Sequence, residues 1–203
     1  MEVRQAIADI AEVRDRLATV QRFGGYSGWA AIASGVVAMA AGAVQAVLAP
    51  HPTAETARTY LWIWLWCLIA ALAINYGAIL IWRARNRDSH SRHQIRTVGM
   101  SIMPAIAAGG VITAALVRHG AFTLLPGMWC ATYALGLFAS RALVPQAVVF
   151  VAVAFGAVAS ILLLAPGTAA LGWWVMPAAF GIGQIAIGAI VLADRKPIRR
   201  IVR

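Results

Sequence analysis

Negative charge is scarce in this chain, and its position is informative. Asp and Glu together account for seven of 203 residues, and none falls inside the six long apolar runs that fill most of the sequence. A helix needs about 20 mostly apolar residues to cross the hydrocarbon layer, where backbone groups cannot stay unpaired. The sequence therefore predicts an all-α polytopic membrane protein with six transmembrane helices. The predicted spans are Tyr26–Ala49, Tyr60–Trp82, Arg96–Val117, Phe122–Ala139, Gln146–Ala165 and Leu171–Ala193.

Groups that carry catalysis and bind metals are also few. Both cysteines, Cys67 and Cys130, fall inside apolar runs, which excludes a disulfide framework. The only paired histidines, His90 and His93, have one carboxylate nearby, whereas zinc takes three or four ligands. We therefore interpret the segment Arg83–Arg96 as a solvated basic loop. No enzyme activity, cofactor or metal site is predicted.

The basic surplus is concentrated on one side of the predicted topology. The net charge is +10. If the N-terminus is cytoplasmic and six spans alternate, 15 of the 17 basic residues lie inside and only Arg58 and Arg118 lie outside. This asymmetry follows the positive-inside rule and predicts cytoplasmic N- and C-termini. The basic residues are expected to attract anionic lipid headgroups rather than nucleic acid.

The predicted spans divide the chain into a head (1–25), a six-helix transmembrane domain (26–193) and a basic tail (194–203). In residues 1–23, apolar residues recur every three or four positions, which predicts an amphipathic helix. Two interpretations stay open: the helix lies along the inner membrane face or the bundle, or it binds a membrane or cytoplasmic protein as a short coiled coil or docking helix. In the second case the interaction face contains Ile7, Ile10 and Leu17.

Polar residues within the spans are uncharged. They are Gln45, Asn75, Thr132, Tyr133, Ser160 and Gln184. We expect them to form hydrogen bonds between helices, with Asn75 and Gln184 as the main intramembrane polar contacts.

Two prolines lie in matching tripeptides of the third and sixth spans. Met103-Pro104-Ala105 and Met176-Pro177-Ala178 are each followed by a glycine seven residues after the methionine. Both prolines are expected to kink or locally open their helices. If the match reflects a repeat of three plus three spans, the odd number of spans per half makes it an inverted repeat, an arrangement known from secondary transporters. The alternative, a chance match in an alanine-rich chain, stays open.

Several local motifs together resemble a known group of proteins. Gly25-Tyr26-Ser27-Gly28-Trp29 leads into a glycine- and alanine-rich span. Leu124-Leu125-Pro126-Gly127-Met128-Trp129 is followed by Tyr133, Gly136 and Ser140-Arg141. The chain resembles an uncharacterised family of six-span bacterial integral membrane proteins, met especially in Acidobacteria-like lineages. The resemblance implies the same architecture and a location in the bacterial inner membrane, and it carries no assigned activity.

The sequence leaves two functions open. The first is a non-enzymatic accessory or regulatory protein that acts by association, as a subunit of a larger membrane complex. The alternative is a small transporter or channel for a neutral or hydrophobic solute, built on the three-plus-three repeat. A polar cavity at mid-membrane would favour transport, and a dry core would favour association.

Overall fold

The structure, a computed structural model, describes residues 26–53, 55–85 and 89–194. For residues 89–99 and 101 it describes the backbone alone. The predicted amphipathic head, with Ile7, Ile10 and Leu17, and residues 195–203 of the predicted tail lie outside the described residues.

Over the described residues the fold is all-helical. The helices are α1 (Gly28–Leu48), α2 (Ala57–Arg85), α3 (Ser89–Arg118), α4 (Leu125–Ala139), α5 (Val148–Leu164) and α6 (Ile182–Asp194). Short 3-10 turns at Phe122–Leu124 and Thr168–Leu171 precede α4 and follow α5, and a π-helical segment at Pro177–Gly181 leads directly into α6. We call this π segment together with α6 span six.

Local sequence explains several of the helix ends. Ser27 caps α1, and its side chain accepts a hydrogen bond from the Ala30 N–H at 3.3 Å. Pro126 lies in the first turn of α4, where a missing N–H costs nothing. After α3, Gly120 turns the chain with a φ of 70°, a left-handed conformation that favours glycine.

Helix length and composition support a membrane protein. Four helical segments are long and apolar enough to cross a membrane: Gly28–Leu48, Ala57–Arg85, Phe122–Ala139 and Pro177–Asp194. Ile102–Arg118, within the 30-residue α3, and the 17-residue α5 are shorter apolar helices. A span needs roughly 17–25 residues, so both can also cross. The chain is therefore a polytopic α-helical membrane protein for which six spans are plausible.

The surface of the bundle is what lipid contact requires. Leu164 is 86% exposed, Val47 81% and Phe150 78%, and large apolar side chains on the other helices are also exposed. So many exposed large apolar side chains are unusual for a soluble monomer, which rarely carries large apolar patches. These side chains suit the hydrocarbon layer, where apolar exposure has no cost.

The helices pack in a definite order. α1 packs against α2 and span six, while α4 packs against α3 and α5. Over their described residues, α2 and α3 hardly touch, although only three residues connect them. Exchanging the halves α1–α3 and α4–span six leaves these four pairings unchanged. α5 also packs against span six, through Phe155 and Phe180, and this contact has no counterpart of similar size between α2 and α3 over their described residues. The main pairings, but not all of them, are those that a three-plus-three repeat would give.

Glycines let α1 and span six approach at backbone distance. A Cβ atom added at Gly28 would lie 2.7 Å from the Gly188 carbonyl oxygen, and one at Gly35 would lie 2.7 Å from the Gly181 carbonyl oxygen. Gly42 lies directly against the Pro177 ring. Helices without a hydrophobic driving force between them associate through such close contacts. This contact is called the glycine seam below.

The contact between α3 and α4 is looser. A Cβ atom at Gly109 would lie 3.4 Å from Thr132 Oγ1, and one at Gly136 would lie 3.5 Å from Ala105 Cβ. Both values are near ordinary van der Waals contact. The two halves thus share their main helix pairings but differ in how closely those helices approach.

The structure corrects the predicted basic loop at Arg83–Arg96. Helix α2 runs through Arg85, and α3 begins at Ser89, so only residues 86–88 connect them. Arginine is a good helix former, and its long side chain keeps its charge in the polar layer beyond the hydrocarbon. Polarity in this segment marks the edge of the membrane rather than the end of the helices.

Span six also differs from its predicted bounds. Leu171 belongs to the 3-10 turn Thr168–Leu171, and Trp173 lies before the helix instead of inside it. Pro177 therefore lies in the first turns of the helix, where proline is well tolerated. The helix is nevertheless opened locally, because the Ile182 N–H reaches the Pro177 carbonyl five residues earlier. Pro104, by contrast, lies inside α3, which stays helical on both sides of it.

Candidate functional site

The most extensive buried polar network lies at the end of the bundle where α1 finishes and α2 begins, called the Gln45 end below. Gln45 is fully buried near the C-terminus of α1. Its Oε1 accepts a hydrogen bond from Trp64 Nε1 at 2.8 Å, and its Nε2 donates to the Leu171 carbonyl at 2.7 Å. One amide therefore ties together α1, α2 and the 3-10 turn that precedes span six.

Aromatic side chains surround this network. Tyr60 and Trp64, one turn apart on α2, are buried together with Leu171 and Met176. The Tyr60 ring lies parallel to the Trp129 ring of α4, with centroids 6.2 Å apart. Trp129 Nε1 in turn donates to Thr113 Oγ1 of α3 at 2.9 Å. The cluster thus links α2, α4 and α3 at the Gln45 end, although α2 and α3 hardly touch each other.

Asn75 contacts α1 across the middle of the bundle. Its Nδ2 donates to Ser34 Oγ at 2.7 Å and to the Ala71 carbonyl at 2.8 Å. Ser34 is buried, and its hydroxyl donates to the Ala30 carbonyl at 2.9 Å. Asn75 is half-buried and serves as a side-chain link between α2 and α1.

Gln184 forms a separate link between span six and α4. Its Nε2 lies 2.7 Å from the Tyr133 hydroxyl. The Tyr133 ring packs edge-on against Phe155, with centroids 4.7 Å apart, and against Phe180 at 5.3 Å. Asn75 and Gln184 share no hydrogen-bond partner, so the structure does not bring them into one site.

The other predicted polar residues bond mainly within their own helices. Thr132 Oγ1 lies 2.9 Å from the Met128 carbonyl, and Ser160 Oγ lies 2.9 Å from the Gly156 carbonyl. Ser160 is exposed on α5. A hydroxyl that bonds to its own helix can face lipid at low cost.

Metal-binding and nucleophilic groups do not cluster in the part of the chain that the structure describes. No three His, Cys, Asp or Glu side chains there could hold a metal ion together. Cys67 and Cys130 are both free thiols. His90 and His93 lie in the first turns of α3, and their side chains fall outside the described residues.

Four side chains that take part in these hydrogen bonds were not predicted from the sequence: Trp64, Ser34, Trp129 and Thr113. Trp62, Trp64 and Trp66 alternate along one segment, yet Trp62 and Trp66 are exposed whereas Trp64 is buried. Trp64 lies on a different face of α2 from Trp62 and Trp66. It shares its face with Tyr60, four residues earlier, and Cys67, three residues later. That spacing was the signal in the sequence that could have predicted the burial of Trp64. For Ser34, which lies in an alanine-rich helix, the sequence contains no comparable signal.

Comparison of the chain with protein-family models, with curated proteins and with solved structures finds no match in any of the three.

Proposed function

We propose that this chain is a non-enzymatic accessory or regulatory protein of the bacterial inner membrane, acting by association as a subunit of a larger membrane complex. Its cytoplasmic surface would present the predicted head, with Ile7, Ile10 and Leu17 on the interaction face, together with the arginines between α2 and α3. Both termini would be cytoplasmic.

The pairing of the intramembrane polar groups carries this proposal. Gln45 binds Trp64 and Leu171, Asn75 binds Ser34, and Gln184 binds Tyr133. Solute sites in membrane proteins present polar or ionisable groups to a water-filled cavity. Here these groups hold helices together, which is the usual task of uncharged polar residues in spans.

The charges at the two ends support the proposed orientation. Arg83, Arg85 and Arg141 belong to the end where the α2–α3 and α4–α5 connections lie, while Arg58 and Arg118 belong to the Gln45 end. An inner face at the first end agrees with the positive-inside rule.

Affinity purification from membranes in a mild detergent tests the association. We expect another membrane protein to co-purify at a fixed ratio with the wild-type chain. The double variant Ile10→Asp and Leu17→Asp should lose that partner while staying inserted in the membrane. A matched variant that changes only the opposite face, Glu12→Gln, should retain it. A wild-type chain that purifies alone at every detergent concentration would refute the proposal.

A second candidate, transport of a neutral or hydrophobic solute, is favoured by one observation. The four main helix pairings are unchanged when the two halves are exchanged, as an inverted repeat requires, although the contact between α5 and span six has no counterpart of similar size between α2 and α3 over their described residues. Uptake of neutral solutes into proteoliposomes tests this candidate. A saturable uptake that Asn75→Leu or Gln184→Leu abolishes would favour transport over association.

A further inference from the structure

The Tyr60 hydroxyl stands apart from the other buried polar groups of the described residues. Tyr60 is fully buried in the aromatic cluster at the Gln45 end. Of the buried side-chain nitrogen and oxygen atoms in the described part of the chain, its hydroxyl oxygen is the one that has no hydrogen-bond partner. A buried donor without a partner is costly, and native structures nearly always supply one.

The neighbouring side chains already use their donors elsewhere. Trp64 Nε1 donates to Gln45, and Trp129 Nε1 donates to Thr113. Neither indole can serve as a partner, because its single N–H is occupied and indole has no acceptor. The partner of the Tyr60 hydroxyl must therefore be something other than the aromatic rings around it.

Two acceptors belong to the same neighbourhood. The Leu171 carbonyl, in the same buried cluster, receives one hydrogen bond from Gln45 and has a second lone pair. Cys130 directly follows Trp129, whose ring stacks on Tyr60, and its buried thiol is a weak acceptor. Neither forms a direct hydrogen bond with the Tyr60 hydroxyl.

We propose that the Tyr60 hydroxyl anchors a binding site for one internal water molecule at the Gln45 end of the bundle. The water accepts the Tyr60 hydrogen bond and finds further partners among the Leu171 carbonyl and the Cys130 sulfur. Buried waters typically make two to four hydrogen bonds to polar groups of this kind. The site ties α2 to α4 and to the turn before span six.

A structure of the full-length protein in a lipid nanodisc, at a resolution that shows ordered water, tests the site. We expect an isolated density peak within about 3.2 Å of Tyr60 Oη in the wild type. The peak should vanish in Tyr60→Phe. It should persist in the control variant Tyr76→Phe, because Tyr76 lies on the same helix but is 43% exposed. No peak, or an elongated density continuous with lipid, would overturn the proposal.

A thermal measurement on the same variants gives an independent readout. If water satisfies the hydroxyl, Tyr60→Phe removes hydrogen bonds and leaves the melting temperature unchanged or lower. If the hydroxyl is unpaired, its removal relieves a buried polar group and raises the melting temperature. A rise in Tyr60→Phe that Tyr76→Phe does not share would therefore overturn the proposal.

Discussion

Single glycines determine how closely α1 approaches span six. At Gly35, an added Cβ would lie 2.7 Å from the Gly181 carbonyl oxygen and 3.1 Å from the Ile185 nitrogen, so the obstacle is backbone that cannot rotate away. At Gly77 of α2, the same atom would have nothing within 4 Å. The same glycine-to-alanine substitution would therefore clash with backbone atoms at Gly35 and enter open space at Gly77.

We predict that Gly35→Ala destabilises the protein by about 1–3 kcal/mol, the usual range for overpacking a tight contact. Gly77→Ala should be neutral or stabilise by up to about 1 kcal/mol, because alanine favours the helix. Unfolding in detergent micelles, followed by tryptophan fluorescence, measures both. Equal effects of the two variants on stability would contradict the close approach of α1 and span six at the glycine seam.

The Gln45 amide is a second position where one side chain holds several segments. Gln45→Leu would leave the Trp64 N–H without its acceptor and the Leu171 carbonyl without its donor. We predict a loss of about 1–3 kcal/mol, the cost of unpaired buried groups. Ser160→Ala removes an exposed hydroxyl that bonds only to its own helix and should change stability by less than about 0.5 kcal/mol. Unfolding curves that move equally in both variants would argue against the network.

At the scale of helices, α1 and α2 are joined by the Ser34–Asn75 bond in addition to apolar packing. A double-mutant cycle with Ser34→Ala and Asn75→Ala isolates this bond from the packing losses of each single variant. We predict a coupling of about 0.6 kcal/mol, the average measured for such bonds in membranes, and no more than about 1.7 kcal/mol. Strictly additive effects would mean that the bond does not tie the two helices.

Much of the helical architecture could be predicted from the sequence because hydropathy reports membrane crossing directly. The predicted run Tyr26–Ala49 differs from α1 by two residues at its start and one at its end. The prediction of a loop at Arg83–Arg96 was wrong because these polar residues are largely helical. The predicted start of span six was also wrong, because Leu171 lies in a 3-10 turn and Trp173 lies before the helix. Hydropathy measures the cost of leaving water, whereas these ends depend on local backbone hydrogen bonds.

The polar pairs were harder to predict than the helices. The sequence shows that Asn75, Gln184 and Gln45 are uncharged polar residues in spans, but it does not show which residues they bond to. Ser34 and Tyr133 are separated from theirs by 41 and 51 positions. Such pairs depend on which helices meet and in which rotation, which requires the tertiary structure.

At the scale of the whole molecule, orientation is the first property to test. With Cys67 and Cys130 replaced by alanine, Ser89→Cys and Thr53→Cys place single thiols at the two opposite ends of α2 and its connections. If the Arg83 end is cytoplasmic, an impermeant reagent added to intact cells should label Thr53→Cys and spare Ser89→Cys until the membrane is opened. Labelling of Ser89→Cys in intact cells would reverse the orientation.

The central claim is that the polar side chains within the spans bond to one another and do not line a water-filled path. Solvent accessibility at mid-membrane tests this claim most directly. In the same cysteine-free background, Asn75→Cys and Gln184→Cys should resist a water-soluble thiol reagent added to both sides of proteoliposomes, while Thr53→Cys reacts. Both variants should react fully after denaturation, which controls for the presence of the thiol. Rapid labelling of either residue in the folded protein would reveal a water-filled path, contradict the association account and favour transport.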